Sequence, residues 1–387
     1  MIVLVVRDIS PGAVGGAVLR NRALLAALRA VADVRVVPVA TGEPRPADAP
    51  PPPDLGFRDP FAADHHPVVA ARLAELVRRP EVEAVVVSES RLHRYFRIAV
   101  EAGCTAVLDL HDAESLLWAE AAEDPRLSAE VRARVRREHD VAALRAIESY
   151  AARHAAVVTF VSLEDEERYR AQYRPAAATA VVPNSVRVPA PPPERLRRPL
   201  PGPRLLFLGH LGYIPNADAV DRLTRDIFPA VRAAFPDAAL TVAGRVPGKG
   251  RTRSSPGAGT TLLENPAEVE PLFDGTALVV PLALGSGTRL KILEAFAAGV
   301  PVLSTAKGAE GLDAVAGTHY LGVGLDPESH VRAVADLLGD PAADLRRRAA
   351  AYDLVRDRYS WSALEEPVRA LLDRLRGRRA GYSPQRR

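Results

Sequence analysis

The chain is poor in the residues that hold disulfide-rich and metal-bound domains together. It has one cysteine in 387 residues, Cys104, which excludes an internal disulfide and a multi-cysteine metal site. No stretch approaches the ~18 apolar residues of a membrane span. The opening "MIVLVVRD" lacks a basic region, and its apolar run is too short for a signal peptide. These absences predict a soluble, cytoplasmic protein.

An excess of one charge is also lacking. The 51 Lys and Arg residues against 48 Asp and Glu give a net charge of only +3, which argues against a nucleic-acid-binding protein. Local basic clusters do occur at Arg132–Arg137 and in the tail "RLRGRRAGYSPQRR". Such clusters are typical of solvated helix faces and frayed termini. A transient peripheral contact with an anionic membrane surface is the alternative interpretation.

Short apolar runs alternate with amphipathic helical patterns along the whole chain, whose length suggests about two domains. Few hairpin signals separate the runs, which favours parallel sheets covered by helices on both faces. We predict an α/β protein with two Rossmann-like, doubly wound domains. The predicted strands are Ile2–Val6, Val34–Val39, Ala84–Ser88, Ala106–Leu110, Val157–Ser162 and Ala180–Pro183, followed by "RLLFLG", "ALTVAG", "TTLLEN", "TALVVPL", "VPVLST" and "HYLGVG".

A Pro-rich stretch divides the two series of strands. "RVPAPPPERLRRPLPGP" cannot form a strand or a long helix. The predicted organisation is an N-terminal domain over 1–190, a linker over 191–203, a C-terminal domain over 204–358 and a terminal helix with a basic tail over 359–387. The terminal helix could pack on either domain. Two such domains are expected to face a central cleft, with function on the loops that follow the strands.

Two loops of the first domain are candidates for ligand contact. Gly12, Gly15 and Gly16 follow the first strand, where either a tight turn or close approach to a ligand would require glycine. The G-x-G-x-x-G spacing of a nicotinamide-binding dehydrogenase is absent. His111 follows the fourth strand, and a ligand role is favoured for it. The neighbouring Asp112 is interpreted as a helix cap.

The second domain has similar loops after its first two strands. "FLGHLGYIPNADAV" places Gly209, His210 and Asn216 between a strand and a helix. "VAGRVPGKGR" follows the next strand, but its glycine spacing does not fit a P-loop. Arg245 within it is a candidate contact for an anion or a nucleobase.

The stretch "GSGTRLKILEAFAAG" carries the strongest signal. Gly285, Ser286, Gly287 and Thr288 break the chain before a predicted helix that starts with Arg289 and Lys291 in its first turn and ends at Gly299. Each cation is misplaced there by about 0.3–1 kcal/mol, because a helix N-terminus is positive. A bound anion would remove the conflict.

Glu294 lies one turn after Lys291 and could accept hydrogen bonds from two neighbouring hydroxyls, as in a ribose. A solvated Lys–Glu pair is the alternative, although this order along a helix is the weaker one. We therefore favour a diphosphate at the helix tip.

Together these segments resemble the GT-B glycosyltransferases, specifically the large retaining family four. The resemblance rests on "GSGTRLKILEAFAAGVPVLSTAKGAEGL", "LLFLGHLGYIPNADAV", "LTVAGRVP", "VVPNSV" and "LDLHDAES", in that family's order. It implies transfer of a sugar from a nucleoside diphosphate donor to an acceptor hydroxyl with retention, and without a metal or other cofactor. No D-x-D triplet is present.

By the resemblance, Glu294 binds the ribose, while Arg289, Lys291 and the Gly285–Thr288 amides hold the diphosphate. Gly15, Gly16 and His111 would face the donor sugar, and His111, Arg289 and Lys291 would act in catalysis. Two departures stand out: Ser286 replaces a glutamate that many members have, and His210 and Asn216 stand where many have Arg and Lys.

The acceptor class stays open between a lipid carrier, a polysaccharide and a small metabolite. A nucleotide-sugar epimerase or hydrolase on the same fold, or a non-catalytic nucleotide-sugar-binding partner protein, are the alternatives.

Overall fold

The chain forms two compact α/β units. The computed structural model describes residues 1–7, 9–10, 15–40, 51–246 and 257–381; for residues 378–381 it describes the backbone alone. The first unit comprises Met1–Glu120, Arg136–Ser185 and the chain from Trp361 onward. The second comprises Ala121–Val135 and Val186–Ser360.

The first unit is built on a sheet of six parallel strands in the order β2-β1-β3-β4-β5-β6. Its central strands are buried on both faces, as the continuous apolar runs predict; Ile2 to Val6 are each 0% exposed. The sixth strand begins and ends two residues before its predicted bounds. The strands are β1 Ile2–Arg7, β2 Val34–Val39, β3 Ala84–Ser88, β4 Ala106–Asp109, β5 Val157–Phe160 and β6 Ala178–Val181.

Helices follow the strands of the first half of the chain. One face of the sheet, which includes Val3 and Val5, forms a core with residues of the second, third, sixth and seventh helices. The helices are α1 Gly16–Val31, α2 Pro67–Leu76, α3 His93–Glu101, α4 Glu114–Glu123, α5 Ala129–Glu138, α6 Val141–His154 and α7 Leu163–Tyr173.

The second unit has its own sheet of six parallel strands, in the order β12-β11-β10-β7-β8-β9. Its strands are β7 Arg204–Leu208, β8 Ala239–Gly244, β9 Thr260–Glu264, β10 Ala277–Val280, β11 Val302–Ser304 and β12 Leu321–Gly322. All twelve predicted strands are present, and the predicted α/β class with two doubly wound sheets is confirmed.

The helices of the second unit surround one apolar core. They are α8 Ile214–Arg222, α9 Phe228–Ala234, α10 Leu290–Ala297, α11 Ala306–Ala309, α12 Pro327–Gly339 and α13 Pro341–Arg358. A π-helical turn, Leu223–Ile227, joins α8 to α9. As predicted, Gly299 terminates helix α10: it lies just after the C-cap residue Ala298, and its φ of +68° suits glycine. The N–H of Val300 then donates to the carbonyl of Ala295, which is a Schellman ending.

The last helix, α14 Glu365–Gly381, belongs to the first unit. Its Val368 and Leu372 join a second core with Ile2, Leu4 and Leu24, on the opposite face of the sheet from α3. This settles the packing that the sequence left open.

The Pro-rich segment lies within the second unit. Buried Arg348 of α13 donates to the carbonyls of Arg195, at 2.6 Å, and Arg198, at 2.9 Å. Tyr352 donates to the carbonyl of Pro189 at 2.7 Å. The domain boundaries drawn from the sequence stay predictions.

Candidate functional site

Strand order places the candidate site of the second unit. Strands β7 and β10 are neighbours in the sheet, and the chain continues from them toward opposite edges. In an open parallel sheet, ligands bind outside the carboxyl ends of the strands at such a switch point. The loop with Gly209 and His210 follows β7, and the Gly285–Thr288 turn follows β10.

Two glycines bring the ends of β7 and β8 together. A Cβ on Gly244 would lie 1.6 Å from the carbonyl oxygen of Gly209, so no larger residue fits there. A Cβ on Gly209 would in turn lie 2.8 Å from Cγ of Asn216. The close backbone approach fixes the loop that carries His210 and seats Asn216 against it.

The Gly285–Thr288 turn has the backbone that its sequence predicts. Gly285 and Gly287 have φ values of +140° and +68°, which are unfavourable for other residues. The Ser286 hydroxyl is buried and has no hydrogen-bond partner within the described chain. An unsatisfied buried hydroxyl has a free-energy cost unless a ligand pairs with it. The turn therefore offers a polar group to whatever lies against it.

Arg289 differs from its predicted place by one position. Helix α10 starts at Leu290, and Arg289 is the residue that caps it, with extended backbone. Its guanidinium folds back and donates to the carbonyls of Ser286 and Gly287, the latter at 2.8 Å. A third hydrogen bond, of 3.4 Å, reaches the carbonyl of Lys307. Arg289 thus organises the turn while adding a positive charge beside it.

Lys291 is the half-buried cation in the first turn of α10. Its Nζ donates to Oδ1 of Asn216 at 2.9 Å and lies 4.5 Å from the ring centre of Phe207. Burial, followed by repulsion from Arg289, lowers the pKa of Lys291 to about 7, against an attraction to Glu294. A buried lysine with a lowered pKa at the ligand-binding edge of a sheet is a candidate functional residue.

Glu294 lies one helical turn after Lys291 and is also half-buried. Burial raises the pKa of its carboxyl to about 7, although Lys291 acts to lower it. Among the residues that the structure describes, no donor forms a hydrogen bond to this carboxylate. Both of its oxygens can therefore accept hydrogen bonds from a ligand.

His210 and Arg245 lie at the rim of this site. Both side chains are exposed, and the N–H of Leu211 donates to the carbonyl of Arg245 at 2.8 Å, which keeps the two loops adjacent. Partial burial and the Arg245 charge lower the pKa of His210. The rest of the Arg245 loop, 247–256, lies outside the described residues, as does Gly12 in the first unit.

The first unit carries the other predicted residues. Gly16 is the first residue of α1 and Gly15, with φ of +125°, precedes it. His111 follows β4, where its Nε2 lies 2.8 Å from Oγ of Ser88 and 3.6 Å from Oδ2 of Asp109. Burial is the main cause that lowers the pKa of His111, opposed by Glu89 and Asp109.

Sequence reasoning missed the residues that hold Asp109, the carboxylate beside His111. Arg20 of α1 is 1% exposed and donates to both oxygens of Asp109, at 2.9 and 3.3 Å. Thr159 donates to the same carboxylate at 2.7 Å, and Asp109 consequently has a lowered pKa despite burial. Arg20 looks like an exposed helix residue in the sequence, and only the tertiary structure shows its partner.

Glu89 is a second residue of interest that the sequence did not point to. It has a φ of +79°, which is uncommon for a residue other than glycine. Its carboxylate pairs with Arg7 at 2.7 Å, at the carboxyl ends of β3 and β1. Those two strands flank the switch point of the first sheet. A strained residue at that point is a functional candidate.

Two further properties bear on the chemistry. Within the described residues, no three His, Cys, Asp or Glu side chains are grouped so that they could hold a metal ion. None of the described helices is long and apolar enough to cross a membrane.

Residues 202–340 match the family model for glycosyl transferases group 1. The second unit therefore carries a glycosyltransferase domain. The match covers most of the second unit, including the Gly285–Thr288 turn, Lys291 and Glu294. No curated protein matches the chain in sequence.

Solved structures resemble this protein along nearly its whole length. Sucrose-phosphate synthase from Thermosynechococcus elongatus is 17% identical, with a TM-score of 0.61, over 97% of this chain and 99% of that one. Anabaena Alr3699/HepE in complex with UDP-glucose is 13% identical, with a TM-score of 0.63, over 96% and 99%. An E. coli trehalose-6-phosphate structure, bound with UDP-2-fluoro glucose, is 13% identical with a TM-score of 0.61, over 96% and 98%. The predicted GT-B fold and the resemblance to that class are confirmed.

Proposed function

We propose that this protein is a glycosyltransferase that moves a sugar from a nucleoside diphosphate sugar to an acceptor hydroxyl, with retention and without a metal. The observation that carries the proposal is the position of Lys291 and Glu294 on the same helix. Both are half-buried, one turn apart, beside the Gly285–Thr288 turn at the switch point of the sheet. A cation next to an unpartnered carboxylate suits a diphosphate joined to a ribose.

In the proposed step the bond between the anomeric carbon and the diphosphate oxygen breaks. The acceptor oxygen bonds to the anomeric carbon from the same face, and its proton passes to the departing phosphate oxygen. Negative charge grows on the diphosphate, where Lys291, the turn N–H groups and the Ser286 hydroxyl can stabilise it. Such preorganised stabilisation is usually the largest contribution to catalysis. No carboxylate pair is needed as acid and base.

Uridine diphosphate sugars are the first donors to test, because two of the similar structures are described with UDP-glucose or a fluorinated relative. The chemistry at Lys291 and Glu294 does not select a base. The acceptor class is left to the experiment, which should include a lipid carrier, an oligosaccharide and small hydroxylated metabolites.

The test has two stages. In EDTA, a nucleoside diphosphate at a hundredfold excess over its Kd should stabilise the protein by about 2.7 kcal/mol. An absolute need for Mg²⁺ or Mn²⁺ in binding would contradict the metal-independent site. NMR of the product should then show the donor's anomeric configuration, and inversion would contradict retention.

Two further outcomes would support the alternatives. Release of free sugar at the same rate with and without every acceptor would indicate a hydrolase. Tight nucleotide binding without turnover would indicate a non-catalytic binding protein.

A further inference from the structure

Asn216 occupies a central position in the candidate site. It lies in the first turn of α8 and is 8% exposed. Both ends of its side-chain amide are used: Oδ1 accepts from Nζ of Lys291 at 2.9 Å, and Nδ2 donates to the carbonyl of His210 at 3.1 Å. The amide therefore links α10 to the loop that follows β7.

The amide is held firmly in place. The backbone N–H of Asn216 donates to the carbonyl of Tyr213 at 3.0 Å. Gly209 lies so close that a Cβ there would come within 2.8 Å of Cγ of Asn216, and Gly244 presses on Gly209 from the next strand. The ends of two strands thus fix where Oδ1 points.

Lys291 depends on such a support. A long lysine side chain loses rotamer entropy when it is immobilised, so a fixed acceptor for its ammonium group is needed to hold it in one place. The charged neighbours that act on its ammonium are Arg289, which repels it, and Glu294, which attracts it. Oδ1 of Asn216 is its only hydrogen-bond acceptor in the described part of the chain. One of the three ammonium N–H groups is used in this way, and two stay available.

We propose that Asn216 is a positioning residue, which holds the Lys291 ammonium ready for the diphosphate and does not itself touch the donor. The inference rests on the proposed function, since it assumes that Lys291 binds the anion. It differs from the sequence-based expectation that Asn216 contacts the donor, because Oδ1 and Nδ2 each already have a partner within the protein, which leaves one N–H of Nδ2 without a bond. This also gives a reason for an asparagine where many members of the family have a cation. Here the cation is Lys291 of α10, and the neutral amide of Asn216 orients it.

A double-mutant cycle with inorganic pyrophosphate in EDTA tests the inference. Calorimetry should show a loss of affinity of about tenfold for Asn216→Ala and of about ten- to over a hundredfold for Lys291→Ala, the range for a hydrogen bond to a charged group. The double variant should bind no more weakly than Lys291→Ala alone, because a residue that acts through Lys291 has nothing left to position.

The cycle separates two kinds of failure. Additive losses in the double variant would mean that Asn216 contacts the anion directly, and would overturn the inference while leaving the proposed function standing. If Lys291→Ala binds pyrophosphate as well as the parent, the anion site itself is wrong. Circular dichroism on all three variants establishes that each is folded.

Asn216→Asp gives a second test, the pH dependence of pyrophosphate binding. A merely structural role of Asn216 would not change it. A carboxylate at 2.9 Å stabilises the charged ammonium, so the pH at which pyrophosphate binding falls to half should move to higher values. Gln172→Glu, on the exposed face of α7, is the matched control for added charge and should leave the profile in place. An unchanged profile in Asn216→Asp would overturn the inference.

Discussion

His111 is held through one nitrogen of its ring. Nε2 lies 2.8 Å from Oγ of Ser88 and 3.6 Å from Oδ2 of Asp109, so it faces two oxygens. The Ser88 hydroxyl donates its own proton to Oδ1 of Asn21, at 2.6 Å, and can accept one from His111. Both neighbours favour a proton on Nε2. The other nitrogen, Nδ1, is then left as an acceptor for a ligand hydroxyl.

The ring of His111 should therefore be neutral, with its proton on Nε2, at pH 7. Burial lowers the pKa of His111 below its ordinary value, which favours the neutral imidazole at pH 7. Nitrogen-15 NMR of labelled protein distinguishes the tautomers, and His111→Asn identifies the signal. A proton on Nδ1, or an imidazolium at pH 7, would contradict the assignment. Ser88→Ala should weaken the preference for the Nε2 proton.

Loss of Lys291 should weaken binding of every diphosphate. Lys291→Ala removes a charge-assisted contact, which typically costs 1.5–3 kcal/mol, so UDP and pyrophosphate should both bind about ten- to over a hundredfold more weakly. The matched control is Arg332→Ala, which removes an exposed cation from α12 of the same unit. Equal losses in the two variants would show that general attraction, and not the site, binds the anion.

Glu294→Gln should separate the ribose from the diphosphate. The amide keeps the shape of the carboxylate but accepts weaker hydrogen bonds from a diol, since bonds to a charged group are about twice as strong. UDP affinity should fall, while pyrophosphate affinity should stay nearly unchanged. Calorimetry with the two ligands measures both. A parallel loss for pyrophosphate would place Glu294 beside the phosphates instead.

The strands were predictable because their signal is local. Runs such as "IVLVV" and "ALVV" are short, rich in β-branched residues and apolar on both faces, which is typical of a parallel strand covered on both sides. The turn after β10 was equally readable, because Gly285 and Gly287 mark backbone that other residues avoid. In each case the residues themselves restrict the conformation.

The partners of the site residues were not predictable, because they are far apart in sequence. Asn216 and Lys291 form a hydrogen bond although they are 75 positions apart in sequence, and Arg20 and Asp109 do so at a separation of 89. Arg289 was expected to face an anion, yet its guanidinium pairs with the carbonyls of its own turn. Which site residues contact the donor stays a prediction.

The titration of Lys291 and Glu294 should give their variants opposite pH dependences of stability. The pKa of Lys291 falls to about 7 from 10.5 on folding, so its charged form destabilises the native state, and this cost is fully present below pH 7. Replacing it by Met, which keeps an apolar stem on Phe207, should raise the free energy of unfolding more at pH 6 than at pH 9.

For Glu294 the pH dependence of stability has the opposite sign. Its pKa rises to about 7 from 4.5 on folding, so the ionised form is the costly one, and stability is lost as pH rises toward 7. Glu294→Gln should therefore stabilise the protein more at pH 9 than at pH 5. Urea unfolding of both variants and the parent at each pH measures this, with Arg332→Met as a control that should follow the parent. If both variants gain equally at all pH values, the two groups do not titrate near pH 7. Lys291 would then keep its charge throughout, and the pH dependence expected for pyrophosphate binding would have to be abandoned with it.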